Sequence, residues 1–452
     1  MRKVIVAFVM NTLLIGVQHT GMAQSKVMEQ YIEEGLKNNL ALTQKNLSWR
    51  KSRMALKEAK GLFMPQVSFE ASYTRAGGGR KIDFPIGDLI NPVYSTLNQL
   101  TGSDRFPTIA NVNEQFLPND FHETKLRFVQ PLFNPDIYFN RQIKREMVSV
   151  QRNTEAAYRK ELTKEIKVAY YQYLQTQEVL RIYEESRTLL KEILRVNQKL
   201  VKRHKITKDA IYGAEYQISQ LDAQVAQTQQ QAQAAGAYFN FLLNRDLAEN
   251  IEVDATVAKK ITAPTLEQMA GMEGKREELL QIQNGINANN QFIKLNKFNA
   301  YPKVNLVVDA GFQGFGYQFN EDQRFWLMQV SLRWDLFKGF QNKAKIQQSQ
   351  IERDILQTRL KETQKQFLLQ QRVARYAVLS AYQTITTNEK AQQQINEQLK
   401  ISRKRHAQGQ IPYYELLQTQ TNYTNNKIQL AVAQYNFLIK KAELERAVGY
   451  SK

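Results

Sequence analysis

The sequence predicts a mainly α-helical protein with a smaller β portion, built as two copies of one plan. Three observations carry that prediction. The first is internal repetition: "LFMPQVSFEASY" (62–73) resembles "NAYPKVNLVVDA" (299–310), and "QPLFN" (130–134) aligns with "WDLFK" (334–338). "KRH" at 202–204 recurs at 404–406, and "AYFNFLL" (237–243) matches "AQYNFLI" (433–439). The second is the proline distribution. All ten prolines (65, 85, 92, 107, 118, 131, 135, 264, 302 and 412) read as junctions or loops, and none falls between Asp136 and Ala263. The third is strict period-two alternation in the segments beside Pro65 and Pro302, the signature of two-faced strands.

The elements follow in order. Residues 1–23 form an export signal: Arg2 and Lys3 are its charged start, Val4 to Ile15 its apolar stretch, and Gly21-Met22-Ala23 its small-residue cleavage site. No later apolar run reaches the ~20 residues of a membrane-spanning helix. The chain has no cysteine, hence neither a disulfide framework nor an acyl-cysteine anchor. The first repeat, 24–246, holds a helix over 26–63, strands at 65–75 and 123–133, a long helix at 140–203 and another at 208–245. The long helix carries a seam of Ile166, Ala169, Tyr173, Leu180, Tyr183, Leu190 and Leu194, spaced for side-by-side helix packing. It would run on the order of 95 Å at ~1.5 Å per residue, so it needs partners along its length. Residues 247–274 form a linker with Pro264. The second repeat, 275–452, gives a helix at 275–300, strands at 303–312 and 324–336, a long helix at 341–405 and a helix at 412–448.

The strands sort into faces. Val67, Phe69, Ala71 and Tyr73 oppose Ser68, Glu70 and Ser72; Val304, Leu306, Val308 and Ala310 oppose Lys303, Asn305 and Asp309. Trp326, Met328, Val330, Leu332 and Trp334 oppose Gln329, Ser331, Arg333 and Asp335. Apolar outward, polar inward and aromatic at the interfaces is the pattern of a membrane barrel, with Trp326 and Trp334 as interface anchors. Four strands cannot close, and open edges are not tolerated in lipid, so several chains must share one barrel.

With "QPLFNP", "WDLFKGF" and a C-terminal segment holding Gly409, Ile411, Leu416, Leu417, Gln420, Ala431, Leu438 and Gly449, the sequence resembles the TolC-like outer-membrane efflux channels of Gram-negative bacteria. The resemblance implies a homotrimer whose long α-helical periplasmic tunnel continues into a 12-stranded β-barrel, four strands per chain, in outer-membrane lipid. It implies a passive exit duct in the outer membrane, extending into the periplasm. The duct would dock with a periplasmic adaptor protein and an inner-membrane transporter of RND type or ABC type, for efflux or type I secretion. Residues 247–274 would belong to a belt around the tunnel, and the long 74–122 loop would face outside. Of the competing readings, a periplasmic adaptor would need a lipoyl-like or small β-barrel module inserted around one hairpin, where this chain has two hairpins and paired amphipathic strands. A structural coiled-coil protein would leave those strands without a purpose.

No catalytic, cofactor or metal site is expected. The four histidines (19, 122, 204 and 406) lack metal-ligand spacing, and no phosphate-binding glycine motif occurs. A net charge of +19 could suit nucleic acid, but an exported chain meets little of it, so no nucleic-acid partner is expected. The informative stretch is "RHAQGQIPYYELLQ" (405–418), where Gly409 and Pro412 end one helix and begin the next. By resemblance, Glu415 and Gln418 fall at the periplasmic aperture, where related channels carry an acidic ring, and Ile411 and His406 fall on latch positions. Only Glu415 keeps a carboxylate; the other three depart from the family pattern. A carboxylate ring would attract cations and repel anions. The basic turns, Lys202, Arg203, His204 and Lys205 in one repeat and Arg403, Lys404, Arg405 and Gly409 in the other, are the candidate adaptor-docking tips.

Overall fold

The structure, a computed structural model, describes residues 26–254, 256–265 and 274–449. The expected signal segment 1–23 lies outside them, as does part of the 247–274 linker. In chain order the first half gives α1 (Lys26–Asn38), α2 (Leu40–Gly61), β1 (Gln66–Thr74), β2 (Lys81–Phe84), α3 (Ile86–Thr101), β3 (Val112–Gln115), β4 (Phe121–Phe133), α4 (Pro135–Lys202) and α5 (Asp209–Leu243). The second half gives α6 (Glu277–Phe298), β5 (Lys303–Phe315), β6 (Arg324–Arg333), α7 (Gln341–Ala407) and α8 (Tyr413–Ala447). The described residues divide into two compact units. One is formed within 1–46, 155–277 and 363–452, the other by 47–154 and 278–362.

The second unit contains an antiparallel sheet in the order β1-β4-β5-β6. The register pairs Phe69 with Leu126, Leu126 with Ala310 and Ala310 with Trp326, so one face carries the apolar set across all four strands. Its members stay exposed: Phe69, Leu126, Met328, Val330 and Leu332 are all more than half accessible. Trp326 and Trp334 stand eight positions apart, about 27 Å along a strand, close to the ~25 Å apolar band of an outer-membrane barrel. The indole of Trp334 donates to the carbonyl of Ala300 at 2.8 Å.

The opposite face is charged and internally matched. Arg127 clamps Asp309 through two bonds of 2.9 and 2.7 Å and lies 3.4 Å from Glu70. Lys125 meets Glu123 at 2.7 Å and Asp309 at 3.5 Å. Such pairing offsets the cost of burying Lys125 and Asp309. Pro131 sits inside β4, where the register against β5 shifts between Pro131 and Phe133. A residue without an N–H is accommodated at such an irregularity.

Two expectations are corrected. Pro92 marks no loop: it lies within α3, and residues 74–122 carry that helix and a β2–β3 hairpin. Nor is 26–63 one helix. Asn39 interrupts it, its side chain accepting the Leu42 N–H at 2.9 Å to start α2 and donating to the Leu242 carbonyl at 2.9 Å. A buried asparagine that caps a new helix ends the old one.

In the first unit, Met28, Tyr31, Leu162, Ile166, Tyr170, Phe239, Leu243 and Tyr435 form one core. The α4 seam keeps Ile166, Ala169 and Leu190 buried but turns to include Leu162, Tyr170, Leu174, Ile182 and Ile193, with Tyr173, Leu180, Tyr183 and Leu194 at its flanks. The chain around Glu252 is strapped over that core: Tyr170 donates its hydroxyl proton to the Glu252 carbonyl, and the Glu252 N–H donates to Tyr31. The end of α8 is fixed likewise. Arg276 donates to the carbonyls of Arg446 and Ala447 at 2.8 Å each, and Lys160 donates to that of Gly449 at 2.9 Å. Gly449 has φ +72°, and a Cβ there would lie 2.8 Å from the Lys275 carbonyl, so only glycine closes this corner.

Candidate functional site

Two helix reversals lie in the first unit, between α4 and α5 and between α7 and α8. Both end their helix in the same way. The Lys205 N–H returns to Leu200 O and the His204 N–H to Val201 O, each at 2.9 Å. In the other turn the Gln410 N–H returns to Arg405 O at 2.9 Å and the Gly409 N–H to His406 O at 2.8 Å. The pivots are His204 at φ +55° and Gly409 at φ +76°, the left-handed residue of a helix C-cap.

This geometry sets the correspondence between the repeats. His204 matches Gly409, Lys205 matches Gln410, and Ile206 matches Ile411. The shared "KRH" letters are therefore three positions out of register, and His204 and His406 are not counterparts. His204 is exposed in the turn; His406 is buried in the last turn of α7.

His406 connects the two reversals. Its Nε2 lies 2.8 Å from Asn197 Oδ1 on α4, and its Nδ1 lies 3.2 Å from the Ile411 carbonyl. Asn197 Nδ2 donates to the Ala210 carbonyl at the start of α5, at 2.8 Å, which fixes its Oδ1 toward the ring. Both ring nitrogens thus face oxygen atoms, one on each reversal's side of the ring. Below them, Ile411 packs with Leu190, Ile193, Leu221, Leu399 and Leu416. Tyr413 covers Gly213 so closely that a Cβ there would come within 2.8 Å of its ring, and burial pushes its phenol pKa up to about 12. Asn197 and Tyr413 were not singled out from the sequence. Asn197 had a signal, being a polar residue seven positions after Leu190 on the apolar seam.

The remaining candidates are exposed. Glu415 and Gln418 sit one helical turn apart on the open side of α8, and Gln418 donates to Asn422 at 3.0 Å. Glu415 is in the first turn of α8, where negative charge is favoured by the helix dipole. Lys202, Arg203, His204, Lys205, Arg403, Lys404 and Arg405 are all exposed. Arg195 pairs with Glu192 through bonds of 2.9 and 2.6 Å; together with the nearby charge of Arg403 it holds that carboxyl below its ordinary range. Among the described residues, no carboxylate stands within 4.0 Å of Lys202, Arg203, Lys205, Lys404 or Arg405 in an ion pair. Trp326, on the apolar face of β6, and Trp334, just past the end of that strand, belong to the other unit.

Comparison with known proteins agrees with this geometry. Residues 272–450 match the family described as outer membrane efflux protein. The chain is 24% identical over 243 residues to the probable efflux pump outer membrane protein TtgC of Pseudomonas putida. It is equally similar to the antibiotic efflux pump outer membrane protein ArpC of Pseudomonas putida. Each match covers 53% of this chain and 46% of the relative, so the chain spans about half the length of the curated relatives it matches. Among solved structures it superposes on the channel CusC with a TM-score of 0.77, at 14% identity, over 94% of this chain and 92% of that one. VceC of Vibrio cholerae gives 0.75 at 16% identity, over 94% and 96%. These likenesses show that the chain shares the fold of those solved channel proteins.

Proposed function

We infer that this chain, whose residues 272–450 match the outer membrane efflux protein family, is a passive outer-membrane exit duct reaching into the periplasm. The observation that carries this reading is the sheet, apolar and exposed on one face, charged and self-matched on the other, with the outer edges of β1 and β6 without a partner strand among the described residues. In lipid those edges must be filled. A homotrimer closes them into 12 strands, each copy's β6 meeting the next copy's β1, with the charged face lining the lumen. Exposed Ile351 and Ile355, and further along α7 exposed Leu369, Val373 and Tyr376, are the matching sign on the helices. Their three- and four-residue steps suit neighbouring tunnel helices.

The duct is read as two structural repeats, 24–246 and 275–452, joined by the belt segment 247–274. The reversals form its periplasmic tips. Glu415 and Gln418 line the aperture, where a ring of three carboxylates favours cations. His406 and Ile411 hold each chain's two tips together behind it. The unmatched cations of Lys202, Arg203, Lys205, Lys404 and Arg405 take an acidic surface of the periplasmic adaptor, which links the duct to an energised inner-membrane transporter of RND or ABC type. The relatives' names favour efflux over secretion. No reaction is assigned to the chain.

The test is migration and location. The protein is expected in the outer-membrane fraction as a heat-modifiable trimer; a monomer in the soluble periplasm would contradict the reading. For docking, Lys202, Arg203, Lys404 and Arg405 are changed to Glu. The variant is expected to lose adaptor cross-linking while keeping its trimer, whereas unchanged cross-linking would remove the tips from the interface.

A further inference from the structure

The segment between β1 and β4 holds a helix that the duct reading does not use. Helix α3 is packed inside out. Its polar side is turned inward and strapped to residues 106–111. Asn91 donates to the Ile109 carbonyl at 2.9 Å and accepts the Ile109 N–H at 2.7 Å. Asn98 does the same with Phe106, at 2.8 and 3.0 Å. Asn111 donates to the Asp88 carboxylate at 2.9 Å and accepts the Asp88 N–H at 3.1 Å. Gly87 permits this closeness, because a Cβ there would fall 2.3 Å from the Ile109 carbonyl. The helix is thus fixed in its rotation by paired bonds, with little freedom to roll its other side inward.

That other side is apolar and open. Leu89 is 71% exposed, Val93 55% and Leu100 79%, with Ile86 at their head. Ile86, Leu89, Val93, Thr96 and Leu100 recur in steps of three, four, three and four, the spacing of a seam that packs against a similar helix. A contiguous apolar stripe on a strapped helix marks an interaction surface.

We propose that this stripe is a contact between copies of the chain: the α3 helices of neighbouring protomers pack seam to seam over the outer mouth of the barrel. The proposal rests on the trimeric duct reading. Two observations select a second copy. A helix lying on an anionic membrane surface carries lysine and arginine on its polar face, whereas α3 has none and a single charge, Asp88. In addition, the chain leaves β1, the open edge that the neighbouring copy must pair, and reaches α3 through β2, so closure of the barrel gathers the α3 helices of different copies around one axis.

The chain has no cysteine, so single cysteines report contacts without background. Leu89→Cys, Val93→Cys and Leu100→Cys are made singly in the full chain, with Ser95→Cys on the strapped side as reference. Oxidation with copper phenanthroline on intact cells is expected to link copies of the first three at least five-fold more than Ser95→Cys. Equal, low linking in variants that still migrate as trimers would overturn the seam and leave the duct reading standing. An unmodified chain that does not migrate as a trimer would overturn the reading beneath it. A spin label at Leu100 that meets dissolved oxygen more readily than a water-soluble nickel chelate would assign the stripe to lipid and also overturn the proposal.

Discussion

The two helix reversals share a backbone and differ in almost everything attached to it. At the α4–α5 turn the pivot is His204, exposed, and Ile206 is half-buried. At the α7–α8 turn the pivot is Gly409, and its Ile411 is buried beneath a histidine that binds Asn197. The same helix-ending hydrogen bonds occur twice. One turn is open and basic, and the other is clamped onto the first by His406. The clamped tip is the one followed by Glu415, which fits a reversal whose position must be held rather than merely made.

The largest way to break this comparison is His406→Ala. It removes the buried ring that lies between the Asn197 amide oxygen and the Ile411 carbonyl, leaving a cavity and an unpartnered polar atom, a cost of about 3–4 kcal/mol. His204→Ala removes an exposed side chain and should change stability by under about 0.5 kcal/mol. Amide exchange across 193–213 and 403–420 reads the difference; equal loss of protection in the two variants would end the distinction.

Ile411→Ala comes next, at about 2–4 kcal/mol for a cavity in the cluster around Leu190 and Leu416, and its counterpart Ile206→Ala should cost clearly less. Gly409→Val forces a branched residue into a left-handed conformation for about 1–2 kcal/mol. A small effect of the opposite sign is expected from His204→Gly, which relieves a positive φ and should stabilise its turn by less than about 1 kcal/mol. If thermal unfolding of the detergent-solubilised protein ranked these two in the opposite sense, the shared cap geometry would be wrong.

The long helices and the two-faced strands were legible because their signals are periodic and local. Proline-free runs gave α4 and α7, and alternation gave the faces on which Phe69 and Trp326 stand. What stayed hidden depends on single side chains reaching far along the chain. Asn39 ends α1 because its amide meets Leu242, which no window of sequence contains. The segment 74–122 reads as a loop by its prolines, yet Asn91 and Asn98 fold residues 106–109 onto α3 despite Pro92 within it.

At the candidate site, Gly409, Pro412 and the basic charges were readable as a reversal. The repeated "KRH" misled, because letters recurred while the turn moved by three residues. Burial of His406 could not be read at all, since its partner Asn197 lies on another helix.

The most direct test of the central claim is single-channel recording of the full-length protein and its Glu415→Gln variant in planar bilayers. The account predicts a cation-selective pore, blocked by multivalent cations from the side presenting the helix reversals, with both selectivity and block weakened in the variant. A trimer that forms no pore, or a variant with unchanged selectivity and block, would contradict it.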